Sequence, residues 1–194
     1  MPSEEQTLDA YFSIVIQALE GLDRRSIHKF ADLMIDTYKD DKTIFFFGNG
    51  GSGSSAAHFC GDLLNNISIG LARRFKAICL NDNIPALTAI ANDISYENIF
   101  VEQLKNFARP GDLVVGFSGS GNSKNVLRAF EYANTIGAKT LAICGFKGGK
   151  AKELAQYAIH ADVQDMEASE DAHLFITHCV KKILLHRLNE QKVF

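Results

Sequence analysis

The sequence predicts an α/β fold, a parallel five-stranded sheet covered by helices on both faces. Three observations carry that prediction. From Thr43 onward, apolar runs of strand length alternate with stretches of helical periodicity. Two of those runs end in glycine- and serine-rich junctions that open helices: Phe45-Phe46-Phe47-Gly48-Asn49-Gly50-Gly51-Ser52-Gly53-Ser54-Ser55, and Val114-Val115-Gly116-Phe117-Ser118-Gly119-Ser120-Gly121-Asn122-Ser123. The first forty residues, by contrast, contain only helical patterning.

The elements follow in order. Leu8, Tyr11, Phe12, Val15, Ile16 and Leu19 recur at helical spacing, and Gly21 closes the stretch. Ile27, Phe30, Leu33, Met34 and Tyr38 make a second stripe after the polar start Asp23-Arg24-Arg25-Ser26. This helical hairpin must bury its large apolar residues (Tyr11, Phe12, Phe30, Met34) on the body or against another subunit, and a homo-oligomer is expected. Strands are predicted near Thr43–Phe47, Phe75–Leu80, Leu113–Phe117, Thr140–Cys144 and Tyr157–His160. Helices are predicted near Ser52–Asn65, Pro85–Ala91, Ser95–Phe107, Ser123–Ile136, Lys150–Leu154 and Glu167–Leu188. Alternation of this kind makes the sheet parallel with right-handed crossovers, and ligands then bind beyond the carboxyl ends of the strands. Both junctions lie at such ends and can converge on one pocket. Residues 1–194 read as one domain, a hairpin over 1–40 and an α/β body over 41–194.

Composition excludes several function classes. Hydrophobic residues at 46% and charged residues at 22% are ordinary for a globular protein, and a net charge of −3 gives no reason to expect a nucleic-acid partner. No apolar run approaches the ~20 residues of a membrane span, and the acidic start Met1-Pro2-Ser3-Glu4-Glu5 is unlike a signal peptide, so a cytoplasmic location is expected. Cys60, Cys79, Cys144 and Cys179 form no CxxC pair and read as reduced, mostly buried thiols.

The second junction is the strongest candidate site. Three hydroxyls within six residues, at the entry of a helix with unpaired amides and a positive dipole end, suit a phosphate. A serine N-cap alone explains one hydroxyl, not three. No GxxxxGK pattern marks a nucleotide P-loop. Gly48 to Gly53 meets the letters of GxGxxG, but no acidic residue closes a following strand where a ribose needs it. His58 and Asp62, four apart, share one helix face near the first junction. Glu170 and His178 lie on the last helix, otherwise rich in Leu174, Phe175, Ile176, Val180 and Ile183. Polar groups on such a helix are either exposed or used in chemistry. A general acid/base pair or a metal site built from His58, Asp62, Glu170 and His178 is chemically sensible, and a helix with one wet face is the alternative.

Taken together, Gly48-Asn49-Gly50-Gly51-Ser52, His58-Phe59, Ala91-Asn92-Asp93, Ser118-Gly119-Ser120-Gly121-Asn122-Ser123 and a terminal helix with Glu170, His173 and His178 resemble the sugar isomerase (SIS) domain, and within it the phosphoheptose isomerases. The resemblance covers nearly the whole chain, including the hairpin. It implies a flavodoxin-like three-layer fold and a homotetramer with active sites at subunit interfaces. The implied reaction interconverts sedoheptulose 7-phosphate and D-glycero-D-manno-heptose 7-phosphate, an early step toward bacterial heptose for surface polysaccharide. It also implies that Ser118, Ser120 and Ser123 hold the phosphate. Asn49, Gly50, Gly51 and Ser52 would line the sugar, and Asp93 would contact its hydroxyls. The family's zinc positions fall on His58, Asp62, Glu170 and His178, with Asp62 and His178 doubling as the acid/base pair. Asp62 stands where the family carries glutamate and Glu170 where it carries glutamine. An arginine usual after the first helix is not evident at Asn65-Asn66-Ile67, which suggests a divergent branch. Relatives that keep the fold without catalysis, one of them in replication initiation, leave a sugar-phosphate-binding protein as one alternative. An isomerase of another sugar phosphate is a second. Retention of His58, Asp62 and His178 favours the enzyme.

Overall fold

Five parallel strands form the centre of the computed structural model, which describes residues 2–189; the ends of the predicted 1–194 domain lie outside that range. The strands are β1 (Thr43–Gly48), β2 (Lys76–Cys79), β3 (Leu113–Ser118), β4 (Lys139–Cys144) and β5 (Tyr157–His160), in the order β2-β1-β3-β4-β5. The order reverses direction between β1 and β3, which pair with Phe46 opposite Val115. At such a switch point the loops leaving the two strands diverge to opposite faces and open a crevice. The helices are α1 (Glu4–Glu20), α2 (Arg24–Lys39), α3 (Gly50–Asp62), α4 (Ile84–Asp93), α5 (Val101–Phe107), α6 (Lys124–Thr135), α7 (Gly149–Leu154) and α8 (Met166–Leu188).

Strand alternation sorts the core into two layers. Phe46, Val115, Phe117 and Ile143 face a layer built by α2, α3 and α8, with α1 laid outside. Phe45, Phe47, Val114 and Ala142 face the layer of α4 to α7. Both layers are needed because a parallel strand buried on two faces is apolar on both, as Phe45-Phe46-Phe47 is. Local signals set the helix starts: a Ser3–Gln6 capping box on α1, Asp23 on α2, Asn83 followed by Pro85 on α4, and Asp165 on α8. Among the described residues no helix is long and apolar enough to cross a membrane. All four cysteines are free, and burial pushes the thiols of Cys60, Cys79 and Cys144 up to about 12, which leaves them unreactive.

Three sequence expectations are corrected. The helix expected over Ser95–Phe107 is a 3₁₀ turn at Tyr96–Asn98 followed by α5, because Ser95 is extended and its Oγ accepts from Asn98. Only half of the hairpin's bulk is a surface layer: Phe30 and Met34 are fully buried beneath α2. The outward stripe is Leu8, Phe12 and Ile16 on α1, 52%, 59% and 53% exposed, while Tyr11 donates to Asp171 Oδ2 at 2.7 Å and ties α1 to α8.

The third correction concerns His173, which is neither exposed nor paired. Its ring is fully buried against Phe117, and neither nitrogen has a hydrogen-bond partner. Burial pushes its pKa from 6.5 down to about 4, and the Cys144 backbone pulls the other way by less. The unfolded chain therefore binds a proton near pH 6.5 that the folded chain refuses until about pH 4. Stability is lost as pH falls through that window, by about 3 kcal/mol at the bottom. Urea midpoints compared at pH 7 and pH 4.5 are expected to drop more for the natural chain than for His173→Leu. Equal drops would show that His173 does not carry the acid sensitivity.

Candidate functional site

Beyond Ser118 the chain turns through Gly119–Ser123 into α6, whose N-terminal amides point back at the crevice. Ser118 Oγ accepts from Gly121 N at 3.1 Å and lies 3.4 Å from Ser123 Oγ; Ser120 Oγ accepts from Asn122 N at 3.2 Å. Ser118 Oγ gives its own proton to Ser123 Oγ, whereas the Ser120 hydroxyl, accepting from the backbone, keeps its proton for an external acceptor. Ser123 occupies the N-cap position of α6 yet makes no capping bond, and although its oxygen accepts from Ser118 Oγ its own hydroxyl proton stays available to a ligand. These groups line a cavity of about 140 Å³ together with Asn49, Ser52, Met166 and Glu170.

The opposite wall comes from the first junction. Asn49 exchanges two 2.9 Å hydrogen bonds with Asn125 and accepts a third from Tyr96 Oη, also 2.9 Å. That network fixes the Asn49 amide between β1 and α6. Gly50 and Gly51 open α3 beside it, and Gly51 leaves the space in which the Glu170 carboxylate sits. Asp93, at the end of α4, is exposed, accepts from Asn92 at 2.8 Å and lines neither this cavity nor the neighbouring cleft beside Tyr96.

Further along α3 and α8 two imidazoles and a carboxylate come together. His58 Nε2 and His178 Nε2 face each other at 3.1 Å, and Asp62 Oδ2 is 3.6 Å from His58 Nε2. One ring nitrogen of a 3.1 Å pair must accept, so the two imidazoles hold complementary tautomers or are drawn together by a shared cation. His58 and His178 are exposed and Asp62 is buried; its Oδ1 takes Lys181 Nζ at 2.5 Å and Asn66 Nδ2 at 3.3 Å. Oδ2 is buried with no hydrogen-bond partner. A π turn, Leu63–Ile67, follows Asp62 directly and swings Asn66 back onto it. The three ligand atoms of His58, Asp62 and His178 lie within 4.8 Å of one another, and an orphaned carboxylate oxygen beside two facing imidazoles fits a divalent cation.

The sequence-predicted set therefore divides. Asn49, Ser52, Ser118, Ser120 and Ser123 meet at the cavity; His58, Asp62 and His178 meet along the helices. Glu170, expected among the metal ligands, falls outside that trio and lines the serine-loop cavity, two turns before His178 on α8. Asn125, Tyr96 and Lys181 were not singled out by the sequence. Of these only Lys181 left a signal, its i, i+3 spacing from His178.

The SIS domain family model matches residues 10–145 of the chain. A curated phosphoheptose isomerase from Helicobacter pylori (strain ATCC 700392 / 26695) is 37% identical over 178 residues, covering 88% of this chain and 90% of its own. Solved phosphoheptose isomerase structures from Francisella tularensis and Neisseria gonorrhoeae superpose with TM-scores of 0.87 and 0.86 at 25% and 26% identity. Each covers 94% of this chain and 98% of its own.

Proposed function

The chain belongs to the SIS domain family, among its phosphoheptose isomerases, and from that premise we propose that the α3–α8 centre carries out its aldose–ketose isomerisation. The reaction interconverts sedoheptulose 7-phosphate and D-glycero-D-manno-heptose 7-phosphate. The observation that carries the residue assignment is a matter of spacing. From Ser52 to His58 and from Glu170 to His178, α3 and α8 each advance roughly 9–12 Å from the serine-loop cavity to the imidazole pair. A seven-carbon chain can bridge that span with its phosphate on Ser118, Ser120, Ser123 and the α6 amides and its reacting carbons at the other end.

Isomerisation moves a proton between adjacent carbons through a cis-enediol. One group removes the carbon-bound proton while another protonates the neighbouring carbonyl oxygen, and both steps then reverse on the other carbon. His178 is exposed whereas its acid/base partner is buried, so His178 meets the sugar first. Asp62 is its partner, reached through Oδ2 once the rings part from their contact. Asn49, Ser52 and Glu170 line the path of the hydroxyls, and anchoring the phosphate converts the encounter to an intramolecular one. His58, Asp62 and His178 would hold a zinc ion, whose contribution when bound is to polarise the substrate oxygen and clamp the two helices together. Glu170 meets the sugar rather than the metal in this reading, and Asp93, which lines neither cavity, is given no role.

The outward stripe Leu8, Phe12 and Ile16 supports a homotetramer with active sites at subunit interfaces, since three large apolar residues on one helix face are costly in water. Light scattering is expected to return about four chain masses, and a monomer at micromolar concentration would reject this. The functional reading itself is tested by offering C5 to C7 ketose phosphates to the purified protein with and without zinc. Fastest turnover of sedoheptulose 7-phosphate is expected; binding without turnover would leave only a sugar-phosphate-binding protein.

A further inference from the structure

We propose that Lys181 is a positioning residue for Asp62, holding one carboxylate oxygen so that the other faces the imidazole pair; the proposal rests on the isomerase reading of this centre. Lys181 sits one turn beyond His178, so α8 presents both side chains to the same stretch of α3. Its Nζ lies 2.5 Å from Asp62 Oδ1, with the two side chains 22% and 8% exposed. Asn66 Nδ2 donates to the same Oδ1 at 3.3 Å, whereas Oδ2 receives nothing and lies 3.6 Å from His58 Nε2.

The asymmetry is what indicates function. A carboxylate buried for stability alone is best served by donors on both oxygens, because an unpaired buried acceptor is costly. Here two donors converge on one oxygen and lock the carboxylate against rotation. The unsatisfied oxygen is left aimed at the imidazoles, the neighbouring groups that exchange protons. A buried ion pair is in any case weak support for a fold, since desolvation offsets most of its attraction. Lys181 also supplies the cationic partner of this buried carboxylate, and its tether comes from α8. The relative position of α3 and α8 therefore sets where Oδ2 points.

The test uses the full chain with Lys181→Met, Lys181→Arg, Asp62→Asn and the double variant Lys181→Met/Asp62→Asn, assayed with sedoheptulose 7-phosphate and crystallised. For Lys181→Met, kcat is expected to fall about 10- to 100-fold, the scale of a misplaced catalytic group, while KM stays within about 3-fold. Lys181→Arg should restore most of kcat, and in the Asp62→Asn background Lys181→Met should change kcat less than about 2-fold, because positioning has nothing left to position. Crystals of Lys181→Met should show the Asp62 carboxylate rotated, and those of Lys181→Arg should show it in place. If Lys181→Met leaves a buried charge that prevents folding, the Lys181→Arg variant carries the test: a rotated Asp62 carboxylate in its crystals, together with normal kcat, overturns the proposal. So does Lys181→Met with unchanged kcat and an unmoved Asp62, or an equal loss in both backgrounds. A fully active Asp62→Asn instead defeats the isomerase reading of this centre, and the crystal comparison still decides whether Lys181 orients Asp62.

Discussion

Replacing His178 with alanine or Asp62 with asparagine is expected to remove isomerase turnover while the protein stays folded. The loss should be at least the ~10² to 10⁴-fold that follows removal of a general acid or base. The two substitutions act differently, and the structure separates them from unfolding. His178 is exposed, so truncating it removes little packing and leaves the α8 residues beneath it, such as Val180 and Leu184, untouched. Asp62→Asn keeps the side-chain shape, and an amide oxygen can still accept from Lys181 and Asn66 where Oδ1 does now. What it removes is the buried, unpartnered Oδ2. Thermal midpoints within a few degrees of the natural chain, alongside lost kcat, are the expected pair of results. His58→Ala adds a third measurement: zinc content by elemental analysis should fall with it, since His58 Nε2 stands 3.1 Å from His178 Nε2 in the same group. Full activity in both His178→Ala and Asp62→Asn would reject the mechanism.

The central strands β1, β3 and β4 were legible because each is a short apolar run buried on both faces with a sharp end, and Phe45-Phe46-Phe47 could only be a central strand. The junctions were legible because three serines and their glycines serve no ordinary helix start. The trio of His58, Asp62 and His178 was partly legible: the i, i+4 pair on α3 was visible in the sequence. That His178 joins it depended on α8 crossing α3, a contact 120 residues apart in sequence that no local pattern encodes. Lys181 was hidden for the same reason. A lysine on a helix reads as a solvated side chain until its partner, 119 residues away, is seen. His173 misled in the opposite direction, since a histidine on an apolar helix invites a functional reading and this one is sealed in the core. Ser95–Phe107 was misread because its apolar residues keep helical spacing while Ser95 bonds locally to Asn98 and delays the helix to Val101.

The serine loop provides the other large effect, through Gly121. Its φ of +66° lies in the left-handed region, where a side chain costs about 1 to 2 kcal/mol. That cost alone would be tolerable. However, a Cβ at Gly121 would run into the carbonyl of Gly148, a backbone atom that cannot swing aside. The two loops are also locked together, since Ala151 N donates to Gly121 O at 2.8 Å and Gly121 N donates to Ser118 O at 3.1 Å. Gly121→Ala must therefore shift the turn that carries Ser118, Ser120 and Ser123. Gly137, at φ +76° in the turn before β4, separates strain from collision: a Cβ there meets only Pro110 Cβ at 3.9 Å, and the turn lies at the far end of the strands from the cavity. Gly137→Ala is expected to lower the unfolding free energy by the ~1 to 2 kcal/mol of the backbone term and leave kcat/KM near the natural value. Gly121→Ala is expected to lose kcat/KM on the order of 10²-fold, the scale of an ångström's misplacement, chiefly through KM. Calorimetric titration with inorganic phosphate should show binding weakened in Gly121→Ala and retained in Gly137→Ala. Natural kcat/KM and phosphate affinity in Gly121→Ala would mean that the phosphate is held somewhere other than the serine loop.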